Sequence, residues 1–509
     1  MPAGDAGGHS DSRASRARHT LPLPSYADPV TPTVEIVVPL GSGRARARLP
    51  AGWHATLAAT PRLPALGDLD RAIADALAHP IAGPTLPELA ARAASRARAS
   101  GRAPTAVIAV TDATRDCPDD RFLPPLLAAI EAGGIAAPQI TIVVATGLHR
   151  ASTEAEKRAK LGPAVVARCR VVDHDAQDPD AIVDLGRTAA GIPATTNRLA
   201  LEADLLVSTG VVEPHQYAGY SGGAKTVAIG LAGEPTIAAT HGIAMLDQAG
   251  VRLARLEGNP FHEAVVEIGR LAGLEFVINL VADADGRPLA VAAGEPEAVH
   301  HHLAGVAAEA FTVPVARRAD VAIAGVGAPK EANLYQATRA VTYLHFGPVP
   351  AVRPGGVYLL PATIPEGAGA GVGERRFFEA LRDAPGPAEL VERLRREGAR
   401  GGEQRAYLVA RVLGEASIIV VGAEHPEVPA GCGMRTAATL DEGLALAGEL
   451  VRTAAAADWR REPTTERDRS PGLGRPSGVG RPPGVGRPLE LLVVPHAIRT
   501  LPVVAEPVG

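Results

Sequence analysis

Cysteine, aromatic side chains, long apolar runs and clustered positive charge are all scarce in this 509-residue chain. The three cysteines, Cys117, Cys169 and Cys432, lie far apart and form no C-x-x-C pair, which excludes a disulfide framework and a thiolate zinc site of the usual spacing. A reducing cytoplasm is the compartment expected. Aromatics supply only 3% of the residues, so the core has to be aliphatic, built from Ala, Val and Leu. No apolar run reaches the ~18 residues that a spanning helix needs, and the basic N-terminal stretch MPAGDAGGHSDSRASRARHT lacks the apolar segment of a secretory signal. Neither secretion nor a membrane span is expected. Lys and Arg are interspersed with Asp and Glu to a net charge of −5, without the aromatic-interleaved basic stripe that nucleic-acid binding asks for. The expected partners are small molecules, and the oligomeric state is left open.

Length implies more than one core, since single cores rarely exceed about 250–300 residues. Residues 1–30 are polar and rich in Pro, Gly and Ser and read as a disordered tail. From Thr105 onward, apolar runs alternate with helical segments: TAVIAV, ITIVVA and ADLLVST, then ADVAIAGVG, GGVYLLPA and ASIIVVG. That alternation predicts βαβ units and mostly parallel sheets, hence α/β architecture. Two α/β domains are expected, one over 31–305 and one over 306–460 plus 489–505, with an active-site cleft between them. They would be joined through a segment near 300–318. Three successive Gly/Pro/Arg hexapeptides within 461–488 cannot bury a core and predict a flexible insert. LELLVVP after it predicts a returning edge strand of the second domain.

The stretch YAGYSGGAKTVAIG (217–230) looks like a spoiled phosphate loop, with Gly219, Lys225 and Thr226 in place but Ala224 where a second glycine is required. A different arrangement explains it better. Ligands of open parallel sheets bind beyond the carboxyl ends of the strands. Three loops follow three strands there: TDATRDCP with Asp112 and Arg115, TGLHR with His149, and GVVEPHQYAGYSGGAK with His215 and Lys225. Two imidazoles, a carboxylate, an arginine and a lysine at one sheet edge suit acid/base chemistry on an anionic substrate. His174 and the run His300–His302 fit no such position, and the triple histidine reads as a solvated helix face.

At TDATR (111–115), ATGLHR (145–150), EPHQYAGYSGGAKTVAIGLAGEPTIAATHG (213–242), EGNP (257–260) and NLYQATRA (333–340), the chain resembles the nickel-pincer nucleotide-dependent lactate racemase family of 2-hydroxyacid racemases and epimerases. The resemblance implies a cofactor, pyridinium-3-thioamide-5-thiocarboxylic acid mononucleotide carrying nickel. It implies that Lys225 holds the cofactor, with Ser221, Gly222 and Gly223 forming its seat and the glycines allowing its close approach. His241 would be the protein ligand to nickel. His149 and His215 would be the paired catalytic histidines, with Asp112, Arg115, Gln336 and Arg339 on the substrate side. Where lactate enzymes carry a lysine, this chain has Arg339, which keeps the charge but changes carboxylate geometry.

The reaction so implied inverts C2 of a 2-hydroxy acid, lactate or a larger analogue, by proton-coupled hydride transfer through a 2-keto acid. Enzymes of cofactor synthesis would be transient partners. Three other readings remain at this point. A P-loop hydrolase leaves His215 and His241 unused, a nicotinamide oxidoreductase lacks its glycine fingerprint at a strand end, and a non-catalytic nickel carrier has no need of the paired histidines.

Overall fold

The apolar runs become strands in the computed structural model of the protein, which describes residues 35–461 and 487–504. Two six-stranded sheets carry the fold. The first has the order Pro288–Gly294, Leu274–Ala282, Leu205–Val211, Ala106–Thr111, Ile140–Ala145 and Arg170–Asp173. It is parallel except for its antiparallel 288–294 edge. Central runs such as AVIAVT are buried almost throughout, as strands covered on both faces require.

Strand Ala106–Thr111 comes first in the chain yet lies in the middle of this sheet. The chain steps outward to 140–145 and 170–173, then returns to the opposite side with 205–211. Such a reversal opens a crevice beyond the carboxyl ends of the two strands that flank it.

The second sheet has the order Arg435–Ala437, Ser417–Val421, Val352–Pro361, Ala319–Ala324, Leu489–Val494 and Trp53–Leu57, all parallel. The α/β class with mostly parallel sheets is therefore as expected, but two details of the layout differ. The strand at 489–494 is interior, because Trp53–Leu57 lies outside it. Asp320, fully buried, fixes that insertion: it accepts from Arg487 Nη2 at 2.7 Å and from the Glu490 backbone N–H at 2.8 Å, and it also pairs with Arg353.

Residues 35–57 also depart from the expected first domain. Ile36, Val38, Ala45, Ala47, Trp53 and Ala55 pack with Val321, Ile323 and Leu359 of the second sheet, so the chain begins in the second core and crosses to the first. The segment near 300–318 is helix Pro296–Phe311 followed by strand Thr312–Val315, which pairs with Leu501–Val504. The tail at 1–30 and nearly all of the Gly/Pro/Arg insert lie outside the described residues. Across the cleft, Asp247 receives Arg395 Nε at 2.8 Å and the Tyr407 hydroxyl, while Thr342 donates to Gln216 Oε1 at 3.4 Å. No helix among the described residues is long and apolar enough to cross a membrane.

Candidate active site

The three loops lie together: the Gly147 N–H donates to the Gly230 carbonyl at 3.0 Å, and the Arg115 charge acts on both Asp112 and His215. The TDATRDCP loop is shaped from beneath by Lys160, whose ammonium donates to the carbonyls of Arg115 (2.6 Å) and Cys117 (2.8 Å) and pairs with buried Asp119 at 3.2 Å. Held this way, Asp112 is buried and its Oδ2 lies 2.6 Å from His149 Nδ1. Burial alone would raise the Asp112 carboxyl, but the His149 and Thr114 hydrogen bonds, with the nearby charges of His149 and Arg115, outweigh it and leave its pKa lowered. A carboxylate there accepts the Nδ1–H hydrogen bond and leaves the Nε2 lone pair of His149 free. The His149 side chain is 52% exposed against 9% for Asp112, so the imidazole faces the opening and its anchor faces the core.

His215 sits on the short strand Pro214–His215. Its Nδ1 accepts from the backbone N–H groups of Tyr217 and Ala218, both at 3.2 Å, which puts the proton of the neutral ring on Nε2. That atom lies 3.3 Å from Lys225 Nζ, a contact in which the free amine of Lys225 accepts. The charges agree. Burial, then the Arg115 guanidinium, pull the Lys225 pKa down to about 7, so amine and ammonium are both accessible near neutrality, and burial, then the Lys225 charge whenever it is present, holds His215 well below the usual imidazole range.

His241 ends helix Glu234–His241, and its Nδ1 lies 3.2 Å from the Ile237 carbonyl. Donation there leaves Nε2 unprotonated, the state in which imidazole binds a metal. Burial, then Lys225, push its pKa down to about 4, which keeps the ring neutral. Tyr217 stands edge-on between the two imidazoles, with ring centroids 5.6 Å from His215 and 5.8 Å from His241, and Phe261 closes the wall 5.1 Å from His241. Burial pushes the Tyr217 hydroxyl up to about 12 against the opposing charges of Arg405 and Arg339.

The glycines serve the protein itself, contrary to the reading that they leave room for a ligand. A Cβ on Gly222 would meet Val212 Cγ2 at 2.6 Å and Asn279 Oδ1 at 2.9 Å, and one on Gly223 would meet His300 Cγ at 2.8 Å. Both have positive φ. The Gly223 N–H is taken by Asn279 Oδ1 at 2.7 Å and that of Lys225 by the Gly222 carbonyl, so these donors do not form a phosphate cradle. The Ser221 hydroxyl is likewise spent within its loop, on the Val211 carbonyl at 2.7 Å. We expect Gly222→Ala to cost about 1–3 kcal/mol as an overpacking change, at roughly 2–4 °C of melting temperature per kcal/mol. An unchanged thermal melt would contradict the packing role.

His300 corrects the solvated-face reading. It is buried, its Nε2 lies 3.0 Å from the Ser221 carbonyl, and it stacks on His262 at 5.2 Å, while His301 and His302 are exposed. His174 is structural, with Nδ1 and Nε2 bonded to Asn197 and the Ala232 carbonyl.

From the second domain, helix Leu334–His345 brings Gln336 and Arg339, its N-terminus capped by Asn333 Oδ1 on the Gln336 N–H at 3.0 Å. Arg339 is half-buried, with Nε lacking an acceptor among the described residues. Burial would lower its pKa, but the Tyr343 ring and hydroxyl and the Glu213 charge reverse the sign and raise it. Sequence reasoning missed Tyr217 and Phe261 as walls, Asn279 as the loop anchor, and Arg405. Only Tyr217 carried a signal, its place in the quoted stretch.

Among the described residues no three His, Cys, Asp or Glu side chains converge on a point where they could hold a metal ion. His241 could therefore serve only a metal whose other ligands come with it. Its free Nε2 and the nearby Lys225, whose pKa is lowered to about 7, fit a metal bound through an organic cofactor.

Residues 40–253 match the family described as lactate racemase N-terminal domain, and residues 315–458 the lactate racemase C-terminal domain. A lactate racemase from Thermoanaerobacterium thermosaccharolyticum is 31% identical over 347 residues, 68% of this chain and 80% of that protein. One from Lactiplantibacillus plantarum is 33% identical over 343 residues, 66% and 78% respectively. The structure of the lactate racemase apoprotein from T. thermosaccharolyticum superposes with a TM-score of 0.75 at 25% identity, covering 93% of this chain and all of that one. A Thermotoga maritima crystal structure shares the fold alone, with a TM-score of 0.54 at 15% identity, covering 83% of this chain and 98% of that one.

Proposed function

Because the chain belongs to the lactate racemase family, we propose that it is an isomerase inverting C2 of a 2-hydroxy acid, using a nickel-pincer nucleotide held by Lys225 and ligated through His241 Nε2. What supports this reading is the Asp112–His149 pair and the His215–Lys225 contact, with the Arg115 charge acting on both Asp112 and His215. What the cofactor supplies when bound is a hydride acceptor for C2. The protein handles the proton. His149, with its Nδ1–H hydrogen-bonded to the Asp112 carboxylate, takes the hydroxyl proton at Nε2. His215 returns a proton on the other side through Nε2, the ring nitrogen that the Tyr217 and Ala218 N–H contacts leave open. With direction the two exchange roles. Arg339 holds the substrate carboxylate, Gln336 and Arg115 lie at its flanks, and the Tyr217 and Phe261 rings keep water from the planar 2-keto acid.

The test is protein produced together with the cofactor-synthesis enzymes, analysed for nickel and intact mass and offered enantiopure 2-hydroxy acids. Racemisation of at least one acid is expected. Full retention of enantiopurity by nickel-replete protein across the panel would overturn the reading.

His241→Ala is expected to lose nickel while its melting temperature holds, because the side chain serves the cofactor and not the core. The loss should exceed the roughly 10–100-fold that removing an outer-shell partner costs. Full nickel occupancy in that variant, read by elemental analysis, would remove the ligand assignment.

A further inference from the structure

The cleft holds more buried positive charge than a monocarboxylate can use. Arg405, in the first turn of helix Glu403–Glu415, lies with its guanidinium 4.7 Å over the Tyr335 ring. Its Nε and Nη1 are buried without an acceptor among the described residues, as is Arg339 Nε. Neighbouring arginines are satisfied: Arg395 and Arg411 reach Asp247, and Arg400 pairs with Glu403. Tyr335, Arg339 and Tyr343 recur at four-residue spacing and so share one face of helix Leu334–His345. Arg405 stacks on the first of them, and Arg339 lies 5.8 Å from the last. The two guanidiniums therefore belong to one wall, and the charge of each reaches Tyr217 beside the two imidazoles.

We propose that Arg405 is a specificity-determining residue that seats a second anionic group, so that the preferred substrate is a 2-hydroxy dicarboxylic acid. The proposal rests on the racemase reading above. If Arg339 grips the carboxylate next to C2, the far end of the side chain meets Arg405. A methyl group there leaves buried donors unpaired, whereas a carboxylate accepts from the planar fork. A site with polar groups left unpaired by an analogue rejects that analogue strongly. A cofactor phosphate is the other possible source of negative charge. It is the poorer candidate, because Lys225 and His241 belong to the first domain while Arg405 stands on the second, stacked on Tyr335 of the helix that carries Gln336 and Arg339.

The experiment compares cofactor-loaded full-length protein with its Arg405→Gln and Arg405→Lys variants on malate and lactate, alongside calorimetric binding of each acid, nickel content and melting temperature. Wild type should favour malate in kcat/KM by at least tenfold. Arg405→Gln should reduce the malate-to-lactate ratio at least tenfold, mainly through KM, and Arg405→Lys should recover part of it. An unchanged ratio, a wild type without malate preference, or nickel loss in Arg405→Gln, which would give Arg405 to the cofactor, overturns the proposal. Arg405-dependent binding of malate without turnover of either acid would sustain the subsite and sink the racemase reading instead.

Discussion

Replacing His215 with alanine is expected to stop interconversion in both directions, by about 10²–10⁴ in kcat, the usual worth of a positioned acid/base group. Each turnover that begins from one enantiomer uses one imidazole to take the hydroxyl proton and the other to return it, so the loss cannot be confined to one direction. The His149→Ala variant should behave alike. The effect has to be separated from cofactor loss, since His241 is held by Ile237 but Lys225 contacts His215 directly. Nickel content is therefore the control. The imidazole of His215 is neutral through the neutral pH range, because burial and its positive neighbours lower its pKa. Wild-type rates from either enantiomer in His215→Ala would refute the paired-histidine mechanism.

Much of this site was legible because its parts sit at strand ends. An apolar run followed by a polar loop locates Asp112, His149 and His215 at one sheet edge without any knowledge of three-dimensional contacts, and the Asp112–His149 bond is the outcome. What stayed hidden depends on partners remote in the chain. The roles of Gly222 and Gly223 are set by Asn279 and His300, more than fifty residues downstream. The pairing of Trp53–Leu57 with Leu489–Val493 joins nearly opposite ends of the sequence, and no local pattern announces it. The triple histidine shows the limit of composition. Consecutive helical residues point in different directions, so one member, His300, turns inward while its neighbours face water. Arg405 had no signal at all, since an arginine in an amphipathic helix is ordinarily solvated.

Arg339→Ala is expected to keep its cofactor and lose roughly 2–5 kcal/mol of transition-state binding, the cost of truncating one partner of a desolvated charge pair. The residue stands on the second domain, half-buried, with a guanidinium nitrogen that has no acceptor among the described residues. Its charge survives burial because Tyr343 and Glu213 favour it, so it is poised for an anion at no further cost of ionisation. The fork can hold a carboxylate through two parallel N–H bonds and fix the plane of C2 between the two imidazoles, whereas lysine offers a single compact charge. Arg339→Lys should therefore fall between wild type and alanine in kcat/KM and shift preference among 2-hydroxy acids. Measurement on the best substrate of a panel, with nickel content alongside, decides the matter: an unchanged kcat/KM in Arg339→Ala would place this arginine outside the site.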